Sequence, residues 1–204
     1  MRRERRRASL RRRLRRIRAV LASGLVLGIG AAGTLAAWND SEHGSATFTA
    51  GRFGVVGATD GTTFAEHATE ATAAPLSFQV TPTAMAPGTT TYALYSVRTV
   101  NPSVAGTVQL VAAAANSTGL GQYLTYGVRT ITGTTCNGTT FGTGTVLVAS
   151  GSALTIGSTT PLTLQANAGN QVNYCFAVTL PATAPNGAQG MSVTARWEFP
   201  ATSS

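Results

Sequence analysis

The sequence predicts an all-β protein, an antiparallel two-sheet sandwich of jelly-roll type preceded by an N-terminal signal helix. The clearest pattern lies near the end, where every second side chain is apolar over residues 172–180 and again over 191–199. A period of two is typical of antiparallel strands with one buried and one wet face. After residue 37 we find no helical pattern long enough for the crossovers of a parallel sheet, which leaves a sandwich or a barrel.

The other expected strands are short stretches between clusters of Gly, Pro, Asn and Thr, such as Pro87-Gly88 and Asn101-Pro102. They cover residues 76–80, 92–100, 107–114, 123–131, 144–149 and 161–165. The alternation in two of these strands also indicates which side chains enter the core. The residues expected to point inward are Ala93, Tyr95, Val97, Tyr126 and Val128.

The start of the chain is organised differently. Eleven of the fifteen arginines lie between Arg2 and Arg18, and an uncharged apolar run occupies residues 19–37. A basic stretch followed by an apolar one is typical of an export signal, so we interpret residues 1–37 as an Arg-rich signal peptide. The alternative is a basic tail that stays attached.

Small residues at the end of the apolar run indicate where a signal peptidase would cut. We expect cleavage near Ala36, Ala37 and Trp38. An uncleaved membrane anchor is the competing interpretation, with Gly24 and Gly28 as a small-residue packing face. In that case the protein would contact a membrane only through its uncleaved signal.

The positive formal charge of +8 arises entirely from the expected signal, in which eleven arginines face one glutamate. After residue 37 four arginines face six acidic residues, which leaves a net charge of about −2. A nucleic-acid-binding function would need the basic segment to remain, so we expect no nucleic-acid partner.

Residues 38–56 are expected to form an N-terminal linker or strand, and residues 57–204 the sandwich domain. An extended apolar pattern in the first part could add as a strand to the sheet edge of a neighbouring molecule. The alternative is pairing within its own domain. The residues of this possible strand donation are Phe48, Ala50, Phe53 and Val55.

The chain has two cysteines, Cys136 and Cys175. In an oxidising compartment we expect them to form a disulfide, with two buried free thiols as the alternative. If Tyr174 and Phe176 face the core, Cys175 points to the opposite face of its strand, where it can reach Cys136 in the loop 134–140.

Catalytic and metal-binding patterns are absent from the sequence. His43 and His67 are the two histidines, and neither belongs to a His-Glu-x-x-His motif. No Gly-x-Ser-x-Gly elbow occurs. We therefore expect no enzyme activity, no cofactor and no metal. Asn116 and Asn137 begin glycan acceptor patterns, which we interpret as loops.

The junction 33–40, with Trp38 and Asp40, is followed by Phe48-Thr49-Ala50-Gly51. This arrangement resembles the TasA and camelysin family of exported proteins, whose signals are cut by a SipW-type signal peptidase. The resemblance implies a jelly-roll domain, export, and self-assembly into extracellular matrix fibres, while camelysin-type members carry a metalloprotease label. The long Arg-rich leader, the low charge and the cysteine pair depart from the family pattern.

These observations together predict a secreted or cell-surface structural protein that associates with itself. The alternative is a surface-binding, adhesin-like module that contacts cell-wall or matrix components. A camelysin-type metalloprotease is the third interpretation, and it depends on the resemblance alone.

Overall fold

The computed structural model describes residues 12–25, 39–78 and 85–204. The chain divides into two compact units, Met1–Phe48 and Thr49–Ser204. In the first unit residues 12–25 form helix α1, and residues 39–48 are exposed and without regular structure. The second unit therefore takes in part of the segment 38–56 that the sequence separated from the domain.

The described residues of the second unit contain ten strands and one short α-helix. The strands are β1 (Val55–Ala58), β2 (Thr90–Thr99), β3 (Gly106–Val108), β4 (Val111–Ala112), β5 (Thr125–Ile131), β6 (Thr145–Ala153), β7 (Leu162–Leu164), β8 (Val172–Thr179), β9 (Trp197–Glu198) and β10 (Ala201–Ser203). Helix α2 is Gly138–Thr143. Single 3₁₀ turns occur at Glu70–Thr72, Ala114–Ser117, Gly119–Gln122, Ala166–Ala168 and Asn186–Ala188.

The strands form three sheets in which neighbouring strands are antiparallel. The largest has the order β1-β2-β8-β5-β6, the second β10-β3-β7, and the third pairs β4 with β9. Strands β2 and β8 pair over eight residues, from Thr90 with Thr179 to Val97 with Val172. The all-β class predicted from the alternation is thereby confirmed.

One face of the five-stranded sheet forms the main core. Tyr174 and Phe176 of β8 are fully buried there, beside Tyr126 and Val128 of β5. Side chains from outside that sheet complete the cluster: Val108, Leu110, Leu154 and Leu164. The expected inward positions are confirmed, since Ala93, Tyr95, Val97, Tyr126 and Val128 are all buried.

The opposite face of β8 is covered as well, so the prediction of one wet face is wrong for this strand. Cys175 and Ala177 are buried in a second apolar cluster with Leu94 and Phe141. Asn173, expected to face solvent, is also buried and accepts a 2.7 Å hydrogen bond from the Ser96 hydroxyl. A strand in the middle of a sheet that is packed on both faces has no exposed side.

The second cluster contains the predicted disulfide. Cys136 and Cys175 are bonded, with their Cα atoms 5.3 Å apart. Helix α2 follows Cys136 directly and begins at Asn137, whose side-chain oxygen accepts hydrogen bonds of 3.0 Å from the Thr139 and Thr140 amides. The Arg129 guanidinium then ties α2 to β5, because it donates to the Gly142 carbonyl at 2.8 Å.

Several expected strands differ from the observed ones. Residues 76–78 are not in a strand, and 79–80 lie outside the described residues. The stretch 107–114 divides into β3 and β4. Over 191–199 only β9 is a strand, although side-chain burial alternates as predicted from residue 192 to 199. Alternation describes where side chains point, and it does not require a ladder of backbone hydrogen bonds.

Removal of the disulfide in the double variant Cys136→Ala/Cys175→Ala should lower the free energy of unfolding by about 4 kcal/mol. The bond closes a loop with a sequence separation of 39 residues, and its loss restores the conformational freedom of that loop in the unfolded chain. Urea unfolding followed by circular dichroism measures the difference. Dithiothreitol should destabilise the natural chain similarly and leave the variant unchanged, and equal stability of variant and oxidised natural chain would contradict this account.

Candidate functional site

The second unit contains a large cleft, which we call the core cleft. Its volume is about 1360 Å³. The cleft is bounded by side chains of β1, β2 and β8, by residues from 66–78 and by residues from 184–199. Its apolar lining includes Leu76, Phe78, Leu120, Leu154, Val193 and Trp197. Concave sites with a partly apolar lining are common places of ligand binding.

The terminal segment 191–199, which forms one wall of the core cleft, is anchored by aromatic packing. The ring of Phe199 lies 4.6 Å from that of Tyr95 and 4.9 Å from that of Tyr174, measured between centroids. Trp197 packs on Phe176 at 4.9 Å. These distances fit the tilted arrangements that aromatic pairs prefer.

A buried amide holds the same segment through polar contacts. Asn116 has an exposed fraction of 0%. Its Nδ2 donates to the Leu154 carbonyl at 3.1 Å and to the Arg196 carbonyl at 2.8 Å, and its Oδ1 accepts from the Arg196 amide at 2.8 Å. Asn116 therefore adds side-chain hydrogen bonds to residue 196, whose carbonyl also accepts from the Ala113 amide at 3.1 Å. A fully buried side chain of this kind is no glycan acceptor.

Charged side chains line the core cleft beside the apolar ones. Arg196 forms an ion pair of 2.7 Å with Glu70, and both side chains are largely exposed. Glu66 and Glu198 also line the cleft and are exposed. An exposed ion pair contributes little to stability. The pair affects the charge of the cleft, because Arg196 neutralises one of the three carboxylates that line it. These carboxylates belong to Glu66, Glu70 and Glu198.

The tyrosines of the main core are held in their neutral form. Burial raises the pKa of Tyr126 to about 12, and burial likewise raises the pKa of Tyr95 and that of Tyr174. The Tyr126 hydroxyl donates to the Ile156 carbonyl. In the described structure the hydroxyl of Tyr174 has no hydrogen-bond partner.

The four residues considered for strand donation lie in different structural environments. Val55 lies in β1 and pairs with Thr99 of its own chain. Phe53 packs against the start of β3, since a Cβ at Gly106 would lie 2.6 Å from its ring. Own-domain pairing, the alternative left open above, therefore describes Phe53 and Val55 in this molecule. Ala50 is exposed, and Phe48 is 93% exposed.

The expected cleavage residues Ala36, Ala37 and Trp38 lie outside the described residues. Within residues 12–25, 39–78 and 85–204, no helix has the length and apolar character needed to cross a membrane.

The two histidines lie apart from any set of metal ligands. His43 is exposed in the first unit. The Nδ1 atom of His67 lies 2.9 Å from the Thr72 carbonyl oxygen in the second unit. No group of three or more His, Cys, Asp or Glu side chains in the described part of the chain could hold a metal ion. The described residues thus offer no support for a zinc centre.

Asp60, which precedes Gly61 in a turn, is held by local hydrogen bonds. Its Oδ1 accepts from the Thr63 amide at 2.7 Å and from the Thr62 amide at 2.8 Å. Hydrogen bonds from Thr63, followed by that from Thr62, hold the pKa of Asp60 well below its usual range. The Asp60 carboxylate therefore stabilises the turn, in which Gly61 follows with a φ of 73°.

Sequence reasoning missed the core cleft and the role of Asn116. The alternation over 191–199 identified the side chains that turn toward the cleft, yet it gave no sign that the backbone lacks strand partners over most of its length. Asn116 lies in a polar stretch, Asn116-Ser117-Thr118, which is typical of an exposed loop. No sequence signal distinguishes this asparagine from an exposed one.

Substitution of Asn116 by Ala should destabilise the protein by roughly 2–4 kcal/mol, because three hydrogen bonds are lost and buried backbone groups are left without partners. Chemical denaturation measures the effect. The matched control is Asn186→Ala, an exposed residue, which should change stability by less than about 0.5 kcal/mol. Similar losses in both variants would argue against the anchoring role of Asn116.

Stability should decline in alkali because of the buried tyrosines. The unfolded chain loses phenolic protons from about pH 10, whereas Tyr126 keeps its proton in the folded state until about pH 12. The stabilisation is therefore complete below pH 10 and lost as the pH rises toward 12. Denaturant titrations at several pH values should show a shallower decline for Tyr126→Phe than for the natural chain. Tyr123→Phe, at a half-buried ring, is the control, and equal declines in all three proteins would refute the assignment.

Comparison with known proteins provides no relative for this chain. No protein-family model matches the sequence, and no curated protein matches it. The resemblance of residues 33–51 to the TasA and camelysin family therefore stays a prediction, and the function has to be argued from the residues and the geometry.

Proposed function

We propose that this chain is an exported structural protein of the cell surface or extracellular matrix, and that it associates with further copies of itself. In this proposal residues 1–37 act as the signal peptide, which a SipW-type peptidase removes. The mature chain is then a non-enzymatic β domain of jelly-roll sandwich type. The exposed segment before that domain provides the contact between copies.

Export is supported by the disulfide between Cys136 and Cys175. Disulfides form and persist mainly in oxidising compartments, including the cell exterior. Both cysteines are buried, so the bond is a structural link that holds the loop before α2 against β8. The segregation of eleven arginines ahead of the apolar run 19–37 agrees with a signal that directs the domain out of the cell.

The sandwich arrangement is supported by the composition of the main core. Tyr95, Tyr126 and Phe176 come from the five-stranded sheet, whereas Val108 and Leu164 come from the sheet β10-β3-β7. Side chains of two sheets within one cluster are what a face-to-face packing of two layers requires.

Self-association is supported most directly by Phe48. A phenyl ring that is 93% exposed is the largest apolar exposure among the described residues. It lies at the end of residues 39–48, which are exposed and are not paired as a strand. Such a segment can gain backbone hydrogen bonds and apolar burial on the edge of another sheet.

Deletion of residues 39–48 should abolish the higher assemblies of the secreted protein, and Phe48→Ala should weaken association roughly tenfold or more, as expected for an aromatic anchor. Analytical ultracentrifugation and electron microscopy of negatively stained samples provide the measurement. The thermal unfolding of the domain should not change, because these residues are exposed.

The control is Ile156→Ala, which removes an exposed apolar side chain that lies outside the strands. This variant should assemble like the natural chain. If the deletion and Phe48→Ala leave assembly intact, residues 39–48 are not the contact. If the natural chain stays monomeric at high concentration yet binds cell walls, the adhesin-like alternative replaces the structural role.

A further inference from the structure

The core cleft is a feature that self-association through residues 39–48 does not use. Its volume of about 1360 Å³ exceeds the roughly 300–1000 Å³ that is usual for pockets of small organic ligands. A domain of this kind normally leaves few voids larger than a water molecule. The cleft is therefore large enough for a long-chain molecule and is a departure from ordinary core packing.

Part of the cleft wall is apolar and suits a hydrocarbon chain. Leu154 at its base is 1% exposed, and Leu120, Val193 and Trp197 are half-buried around it. Leu154 is a buried member of the main core, and the other three side chains pack against that core. Water gains few hydrogen bonds against such walls, whereas an aliphatic chain is stabilised by leaving bulk water.

The charges of the cleft select for a positive head group. Arg196 is the one arginine among the described lining residues, and it is paired with Glu70 at 2.7 Å. Glu66 and Glu198 remain as exposed carboxylates without a salt bridge in the described structure. Three carboxylates and one guanidinium give the lining a formal net charge of about −2, which attracts cations and repels anions.

We propose that the core cleft binds a cationic amphiphile, a molecule with one long aliphatic chain and one ammonium group. The chain lies among Leu120, Leu154, Val193 and Trp197. The ammonium group lies toward Glu66 and Glu198. A fatty acid, whose chain has the same character and whose head group is negative, is disfavoured by the same carboxylates.

The test uses the purified protein in the form recovered from culture medium. Isothermal titration calorimetry compares three probes with the same twelve-carbon chain, each below its micelle concentration: dodecyltrimethylammonium, dodecyl sulfate and dodecyl maltoside. Dodecyltrimethylammonium should bind one per chain with an affinity about tenfold or more above that of dodecyl sulfate. Tetramethylammonium, which lacks the chain, should give no saturable heat.

Two variants separate the contributions of charge and cavity. Glu66→Gln/Glu198→Gln should bring the affinities for the cationic and anionic probes within about threefold of each other and leave that for dodecyl maltoside unchanged. Leu120→Trp, at a half-buried wall position, should weaken binding of all three probes because it fills the space. Glu42→Gln removes a carboxylate that does not line the cleft and should retain the natural selectivity.

The proposal is overturned if dodecyl sulfate binds as well as the cationic probe, or if the double variant retains the charge preference. It is also overturned if no probe gives saturable binding to the folded protein, since the cleft is then closed to aliphatic chains. Failure of this test leaves assembly through residues 39–48 unaffected, because the two sets of residues do not overlap.

Discussion

The fold depends on a central strand that is apolar on both faces. Strand β8 places Tyr174, Phe176 and Val178 in the main core and Cys175 and Ala177 in the second cluster. Because β2 and β5 flank it, neither its backbone nor either face reaches solvent. A chain of this size can satisfy such a strand only if separate parts of the sequence cover each side. Separate segments of the second unit pack against each face of β8, and we call these segments its two covers.

The two covers are attached by different physical means. On the second cluster, a covalent bond fixes the loop before α2, and Arg129 reinforces it through its hydrogen bond to Gly142 and its position over the Phe141 ring, 4.9 Å from the centroid. On the main core, residues 191–199 are held by aromatic packing and by Asn116. A segment held by separate contacts can leave space between those contacts. A strand that is hydrogen-bonded along its whole length lies close to its neighbour throughout. The core cleft lies beside this segment, which forms one of its walls.

Much of the main core could be predicted from the sequence because alternation determines which side chains share a face. That argument placed Tyr126 and Phe176 correctly, and it also placed Cys175 opposite to them. It failed for backbone pairing over 191–199, and it missed α2, where Gly and Thr suggested only turns although Asn137 with Thr140 three residues later forms the helix start. The cleft was beyond prediction because its walls come from segments more than a hundred residues apart, and their separation depends on tertiary packing.

Most arginines of the second unit make contacts within their own domain, which limits their part in the proposed recognition between copies. Arg98 lies over the Phe64 ring at 3.8 Å from its centroid, Arg129 over Phe141, and Arg196 is paired with Glu70. Three of the four arginines after residue 37 are thus engaged within the domain. A surface with so few free cations exerts little long-range attraction or repulsion on another copy. In the proposed self-association, contact between copies relies on apolar burial and backbone hydrogen bonds, which an exposed phenyl ring on an unpaired segment can supply.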